Sequence, residues 1–593
     1  MSFICFNLDY MRNFVVVFLL SFQCLGQVDY WQQAVDYQID VTVDDSKDKL
    51  SGEEILIYQN NSPDTLKELY FHLYWNAFKK GSHAFEKLNM YELEDSDFGE
   101  IRIDQITINN EIHAIDIFES IGQLKLKKKI LPGKICEIKI RFSSNVPSCI
   151  NRAGKDNIAG TDYTFTQWYP KICRYDKMGW HTDPYFGREF AGTFGKYSVS
   201  VTCDPSFVVA GTGTLKNKKY TEKGWVSTVG KSNSSQEKWE FYGENIHDFA
   251  FAMDKEWLHK EQKIDGIDFH FFYNEKYNEA WSKLMLDWSK AYKICKSEFG
   301  VYPYPQFSFI QAGEGYMEYP MCTMLESGRS DFFNTACHEF MHNYFYGIFG
   351  TDENLYHWMD EGITCYAEER ISNVNQSQNN PAKGAISNYR WIASSYDEEP
   401  ISTAANHFES DYPYYNAAYF KGQLFPELIR YIIGDSLMKV GFARFYQTWK
   451  FKHPEPNDFV KVFEDVSSME LTWFQNYWLN TTKKIDFSID TVEKIKEGVK
   501  ITFGNQGIPM PLEFEIKLQN GKSMNYYIPI DLTNNSKINF NEATQTLPKW
   551  SCASKKYSVV LKDVKLKDIS KINLDPQGVL PDVNKENNSF SNR

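Results

Sequence analysis

The sequence predicts a multidomain α+β protein: a β-rich N-terminal domain, a mostly helical middle domain and a C-terminal β-sandwich. Three observations carry this expectation. The chain has 593 residues, more than one hydrophobic core usually supports. Its apolar pattern changes from alternation to helical spacing near Asn274 and returns to alternation beyond about Asp486. Apolar residues make up 42% of the chain and charged residues 24%, which excludes the hydrophobe-poor composition of a disordered protein.

Ahead of the first domain, Met11 and Arg12 precede an apolar run from Phe14 to Phe22, and Cys24-Leu25-Gly26 leads into Gln27. This pattern predicts a signal peptide over residues 1–26, with synthesis starting at Met1 or Met11, and therefore export to the periplasm or the cell exterior. The run is about nine residues against the roughly 20 that cross a bilayer, so no stable membrane span is expected in the mature chain. Removing Cys5 and Cys24 would leave nine of the eleven cysteines, an odd and sparse set. A disulfide framework is not expected, and Cys337 and Cys365 read as small buried apolar residues. Lys and Arg number 64 against 78 Asp and Glu, for a formal charge of −14. Such a surface lacks the clustered cations that grip a phosphate backbone, so nucleic acid is not an expected partner.

Residues 27–274 form the predicted β domain. Strands are read from Tyr37-Gln-Ile-Asp-Val-Thr-Val, Glu54-Ile-Leu-Ile-Tyr, Tyr197-Ser-Val-Ser-Val-Thr and Asp268-Phe-His-Phe-Phe-Tyr, separated by Gly, Asn and Asp turns. Residues 275–482 carry helical spacing over Tyr277–Phe299, Asn334–Phe349, Asp360–Ser372, Ala382–Ser395 and Ala417–Ile433. Residues 483–583 return to strands in Val499-Lys-Ile-Thr-Phe and Leu512-Glu-Phe-Glu-Ile-Lys-Leu, with Asn520-Gly521 as a hairpin turn. Residues 584–593 are polar and aperiodic, so a frayed tail is expected.

The chemistry concentrates in the helical part. His338-Glu-Phe-Met-His342 puts two imidazoles four residues apart, on one helix face and within reach of one cation. Neutral imidazoles suit zinc, and a third protein ligand leaves the fourth tetrahedral position for water. Glu361, after eighteen intervening residues, is the candidate third ligand, for one Zn(2+) per chain. Glu339 is the candidate base that takes a proton from metal-activated water. Glu368 lies two turns beyond Glu361, where it can orient a ligand histidine or simply face solvent.

The spacing from His338 to Glu361 in Trp358-Met-Asp-Glu361-Gly resembles the M1 family of zinc aminopeptidases. Thermolysin-like endopeptidases place their glutamate one residue further on. Gly315-Tyr-Met317-Glu318-Tyr319 is similar to the family's Gly-x-Met-Glu-Asn motif, which implies that Glu318 holds the substrate's free α-ammonium, with Gly315 and Met317 beside it. Tyr319 stands where the family has Asn. Tyr419-Phe-Lys421-Gly422 resembles the family's Tyr-x-Lys-Gly segment, which implies that Tyr419 stabilises the oxyanion; Tyr414 matches a second tyrosine five residues earlier. Gln167 in Thr166-Gln-Trp-Tyr-Pro170 resembles a glutamine that lines the first side-chain pocket, with Tyr169 replacing an acidic residue of some members.

The resemblance implies a saddle-like first domain, a thermolysin-like catalytic domain and a β-sandwich. The roughly 110 residues after Thr482 are one ordinary domain and leave no room for a large helical lid, so an open cleft is expected. It also implies an aminopeptidase acting on peptides with a free N-terminus. The alternatives are a zinc endopeptidase of thermolysin type and a non-catalytic peptide-binding scaffold on the same fold.

Overall fold

Period-two burial builds the first domain. Along Ala34–Asp44 the side chains of Val35, Tyr37, Ile39, Val41 and Val43 are buried, and the intervening polar residues are not. The computed structural model describes residues 30–592 except 88–97, 149–151, 223, 229–234, 314, 329, 374–381, 396 and 538–543. The predicted signal peptide lies outside the described residues. Ala34–Asp44 pairs antiparallel with Lys49–Gln59 and parallel with Gly195–Cys203, at the centre of an eight-stranded sheet. Two four-stranded sheets, one centred on Leu66–His72 and Ile121–Ile130, the other on Tyr163–Phe165 and Phe251–Asp254, and two short two-stranded ribbons complete the domain.

The middle domain contains a sheet that the helical reading did not anticipate. Its strand order is Trp257–Ile264, Ile267–Asn274, Gln306–Gln311, Cys322–Leu325, Tyr316–Tyr319. The expected boundary between 274 and 275 therefore falls inside a sheet. The physical reason is visible in Ile267–Asn274: Phe269, Phe271, Phe272 and Tyr273 are all fully buried, as a strand covered on both faces requires, and the strand runs parallel to Gln306–Gln311.

Eight helices are named here: α1 (Asn278–Phe299), α2 (Phe332–His342), α3 (Glu353–Ile371), α4 (Lys383–Ala393), α5 (Gly422–Ile433), α6 (Asp435–Trp449), α7 (Pro456–Ser467) and α8 (Thr472–Asn480). Two of the expected continuous helices are split. The α2 helix gives way to a π-helical turn at Asn343–Ile348, and Asn416–Lys421 is a π-helical turn leading into α5. Such turns recur at functional sites.

The α3 helix begins at Glu353, earlier than the expected Asp360. The Asp352 carboxylate accepts the Leu355 N–H at 3.1 Å and caps this start, and the helix bends at Tyr356 (φ −131°, ψ 43°) before the turn that carries Glu361. That bend interrupts the apolar period ahead of Trp358. The α3 and α5 helices touch through glycines: a Cβ on Gly362 would lie 2.5 Å from the carbonyl carbon of Gly422 and 2.9 Å from the Ala418 oxygen.

In the C-terminal domain a three-stranded sheet (Phe487–Ile495, Gly498–Asn505, Lys556–Leu561) faces a five-stranded one built on Leu512–Leu518 and Ile569–Leu574. Phe503 of the first meets Phe514 of the second at 4.9 Å, forming the sandwich core. The expected frayed tail is corrected here. Ser589–Ser591 adds an edge strand to Ile569–Leu574, Phe590 packs against the core, and the Asn592 side-chain amide donates to the carbonyls of Leu566 and Ile569. One phenylalanine in a polar stretch is too little to show a period. The eight cysteines among the described residues are free thiols, and no helix among those residues is long and apolar enough to cross a membrane.

Candidate active site

The α2 helix places His338 and His342 on one face, with their Nε2 atoms 3.0 Å apart. Glu361, on the facing α3, puts Oε2 3.3 Å from each of those nitrogens. Ligand atoms about 2.0–2.1 Å from one tetrahedral zinc ion stand about 3.3 Å from each other, so this triangle fits zinc. Glu361 Oε2 is buried and makes no hydrogen bond, as expected of an atom reserved for a metal.

Carboxylates behind the rings orient the triangle. The Nδ1 of His338 lies 3.2 Å from Glu368 Oε2, and the Nδ1 of His342 lies 2.6 Å from Asp360 Oδ1. A proton held at Nδ1 by each carboxylate leaves both Nε2 lone pairs facing Glu361. Burial disfavours a charged His342, but Asp360, Glu318 and Glu361 outweigh it and set its pKa well above the ordinary histidine value. The centre thus favours a cation. Burial would raise Glu361, yet His342 and His338 hold it well below the usual carboxylate range. Cys337 is fully buried as expected, whereas Cys365 is partly exposed, with Sγ 3.9 Å from His338 Nδ1.

Glu339 shares α2 with the two histidines, and its buried Oε2 makes no hydrogen bond. Burial pushes its pKa up to about 7, a value suited to a group that must both accept and return a proton. Glu318 comes from the edge strand Tyr316–Tyr319. It is 4% exposed, and its Oε1, also without a hydrogen bond, lies 3.8 Å from His342 Nδ1. Gly315, at φ +86°, makes the turn into this strand, and Met317 is buried with its carbonyl accepting the Thr323 hydroxyl at 2.9 Å.

Tyr319, the residue that departs from the family motif, donates its hydroxyl to Gln167 Oε1 at 3.3 Å. The amide nitrogen of Gln167 is 3.5 Å from Asp248, so both ends of this side chain are engaged. Gln167 is thereby drawn to the Glu318 strand. The Tyr419 hydroxyl donates to Glu361 Oε1 at 2.5 Å, beside the triangle. Tyr414 is buried beneath the Arg188 guanidinium, 4.1 Å from its ring centre, and its hydroxyl has no partner.

Sequence reasoning missed Asp360, and it missed Glu353 and the ion pair of Arg152 with Glu189, at 2.6 and 2.8 Å. For Asp360 a signal existed, because the second histidine also needs a carboxylate behind its ring.

The start of α3 is pinned electrostatically. His181 bridges Asp176 at 2.9 Å and Asp352 at 2.8 Å. Burial opposes charge on His181, but these carboxylates raise its pKa from 6.5 to about 9. Burial likewise opposes charge on Asp352, which His181 and Arg174 nevertheless lower from 3.8 to about 2. The raised histidine contributes stability that is complete below pH 6.5 and is lost as pH rises through 9. The depressed aspartate contributes stability present above 3.8 and lost as pH falls through 2. Thermal unfolding should therefore fall by on the order of 2 kcal/mol in stability between pH 6.5 and 9, and His181→Gln should flatten that slope. An unchanged slope in the variant would contradict this assignment.

Residues 275–478 match the family described as the Peptidase family M1 domain. No curated protein matches the chain by sequence. Among solved structures, the M1 zinc metallopeptidase from Deinococcus radiodurans aligns at 13% identity and a TM-score of 0.53, covering 77% of this chain and 95% of that one. A point mutant of the Deinococcus radiodurans enzyme bound to a Tyr-Ser-Ala substrate aligns at 14% identity and a TM-score of 0.54, covering 76% and 94%. A two-domain M1 zinc metallopeptidase mutant bound to L-tryptophan gives 13% and 0.51, covering 74% and 92%. At these identities the structural likeness establishes the fold, and the sequence match identifies residues 275–478 as a Peptidase family M1 domain.

Proposed function

We propose that this protein is a zinc-dependent aminopeptidase that hydrolyses the first peptide bond of peptides with a free N-terminus. The reading rests above all on Glu318: a buried carboxylate whose Oε1 makes no hydrogen bond and lies 3.8 Å from the ligand histidine His342 is suited to a substrate cation, which an endopeptidase does not need. A zinc ion held by His338, His342 and Glu361 supplies Lewis acidity, which brings the pKa of water from about 16 toward 7. Glu339 accepts the proton at its free oxygen and returns it to the leaving amine. Tyr419 turns its hydroxyl from Glu361 to the developing oxyanion, and Glu318 fixes the substrate by its ammonium. The Deinococcus radiodurans relative bound to Tyr-Ser-Ala supports a peptide substrate. The signal-peptide pattern of residues 1–26 favours action in the periplasm or outside the cell.

The test compares aminoacyl chromogenic substrates with their N-acetylated forms, before and after metal chelation and zinc restoration. Turnover of the free amines alone, abolished by chelation, is expected. Equal turnover of both forms would replace this reading with an endopeptidase, and a zinc-loaded but inert protein would replace it with a peptide-binding scaffold.

A further inference from the structure

Two histidines outside the metal triangle meet on the antiparallel hairpin of Trp257–Ile264 and Ile267–Asn274. The strand Trp257–Ile264 is one edge of the five-stranded sheet, and Tyr316–Tyr319, which carries Glu318, is the opposite edge. Alternation puts His259 and Glu261 on one face of the hairpin, and the register sets His270 directly across from Glu261 and Phe272 across from His259. His259, Glu261 and His270 therefore share that face. Each offers a ligand atom within 4.8 Å of those of the other two. His259 Nε2 lies 3.0 Å from His270 Nδ1, and Glu261 Oε2 lies 4.0 Å from the same Nδ1.

The separation of these ring nitrogens equals that of the Nε2 atoms of His338 and His342, also 3.0 Å. Together, 3.0 and 4.0 Å bracket the distance of about 3.3 Å between ligand atoms of one tetrahedral zinc ion. An aromatic shell fixes the rings: Tyr220 packs against both, with ring centres at 4.9 and 5.7 Å, and Phe272 stacks on His259 at 4.9 Å. Burial pushes the pKa of His259 down to about 3 and that of His270 to about 4, so at neutral pH each neutral ring has a lone pair to give. A hydrogen bond between the rings would use only two of the three groups. Glu261 adds an anionic oxygen, and its side chain, 51% exposed, has room to turn inward.

We propose that His259, Glu261 and His270 form a second metal site, which takes a divalent ion of the zinc class with water completing its coordination. Two imidazoles and one carboxylate suit such borderline-soft ions, whereas calcium and magnesium prefer all-oxygen sets. The role is structural. The ion ties the edge strand to its neighbour beneath Tyr220, which the first domain supplies from the ribbon strand Lys218–Thr221. No residue of the triangle takes part, so the proposal stands apart from the aminopeptidase reading.

The experiment counts zinc on the full chain by plasma mass spectrometry after equilibrium dialysis against buffered zinc. It compares the unaltered protein with His338→Gln/His342→Gln, which strips the triangle of both imidazoles, with His270→Asn, and with all three changes together. The unaltered chain should hold two zinc ions, the first two variants one each, and the triple variant none. Glu261→Gln, made in the His338→Gln/His342→Gln chain, leaves the core intact and should weaken the remaining ion by at least the roughly 10–100-fold that loss of an outer-shell partner costs. A single ion in the unaltered chain, with none left after His338→Gln/His342→Gln, would mean that the hairpin rings share a proton and nothing more, and would overturn the site. A second ion that persists in His270→Asn, or is held as tightly after Glu261→Gln, would overturn it too. The Glu261 variant decides even if His270→Asn does not fold. A chain that holds both ions but cleaves no aminoacyl substrate would sink the aminopeptidase reading alone.

Discussion

Glu339→Gln is expected to retain zinc and lose roughly a hundredfold or more in kcat. The amide keeps the size of the side chain and its place on α2, so His338, His342 and Glu361 keep their triangle. What is lost is basicity. The carboxylate owes its pKa of about 7 first to burial, and no other described group offers an unpaired basic oxygen on that helix face. Metal content by atomic absorption and single-turnover kinetics separate the two effects. Activity near that of the unaltered protein would remove Glu339 from the chemistry, and loss of zinc along with activity would make it a structural support of the site.

Gly362→Ala should be nearly as damaging, by a different route. The added methyl carbon would stand 2.5 Å from a backbone carbon of Gly422, and backbone cannot swing aside as a side chain can. The α3 and α5 helices must separate, at a cost of about 1–3 kcal/mol or more for overpacking. Gly362 directly follows Glu361, and Gly422 closes the π-helical turn that carries Tyr419, so separation also stretches the 2.5 Å contact of the Tyr419 hydroxyl with Glu361. Denaturant unfolding should shift to lower concentration, and kcat should fall further than KM rises. A variant of unaltered stability and turnover would show that the helices accommodate the methyl group by sliding.

What could be read in advance follows from how local each feature is. His338, Glu339 and His342 occupy one helical turn, so their spacing alone brings them together, and the distance to Glu361 reflects one helix–turn–helix excursion. Glu368 was within reach of the same argument, being two turns from Glu361 on α3. Asp360, adjacent to Glu361, carried the matching signal, because the second histidine also needs a carboxylate behind its ring; which histidine each carboxylate faces is fixed by the crossing of α2 and α3. Glu189, Glu318 and Glu353 lie far apart in sequence and meet only through tertiary packing. The strand at Ser589–Ser591 depends on three residues finding an open sheet edge, an event without a sequence period. The start of α3 was misplaced because its cap at Asp352 and bend at Tyr356 sit in a polar stretch that hides the helix.

The sheet that spans the expected domain boundary bears on how this protein can be cut. The family match begins at residue 275, immediately after Ile267–Asn274, yet that strand is the interior neighbour of Gln306–Gln311. A fragment trimmed to the match would leave Phe307, Phe309 and Ile310, all fully buried in the intact chain, along a bare sheet edge. Unpaired apolar edges of this kind recruit other chains. An expression fragment that starts upstream of Trp257 keeps the edge covered, while one that starts at 275 should collect in the insoluble fraction.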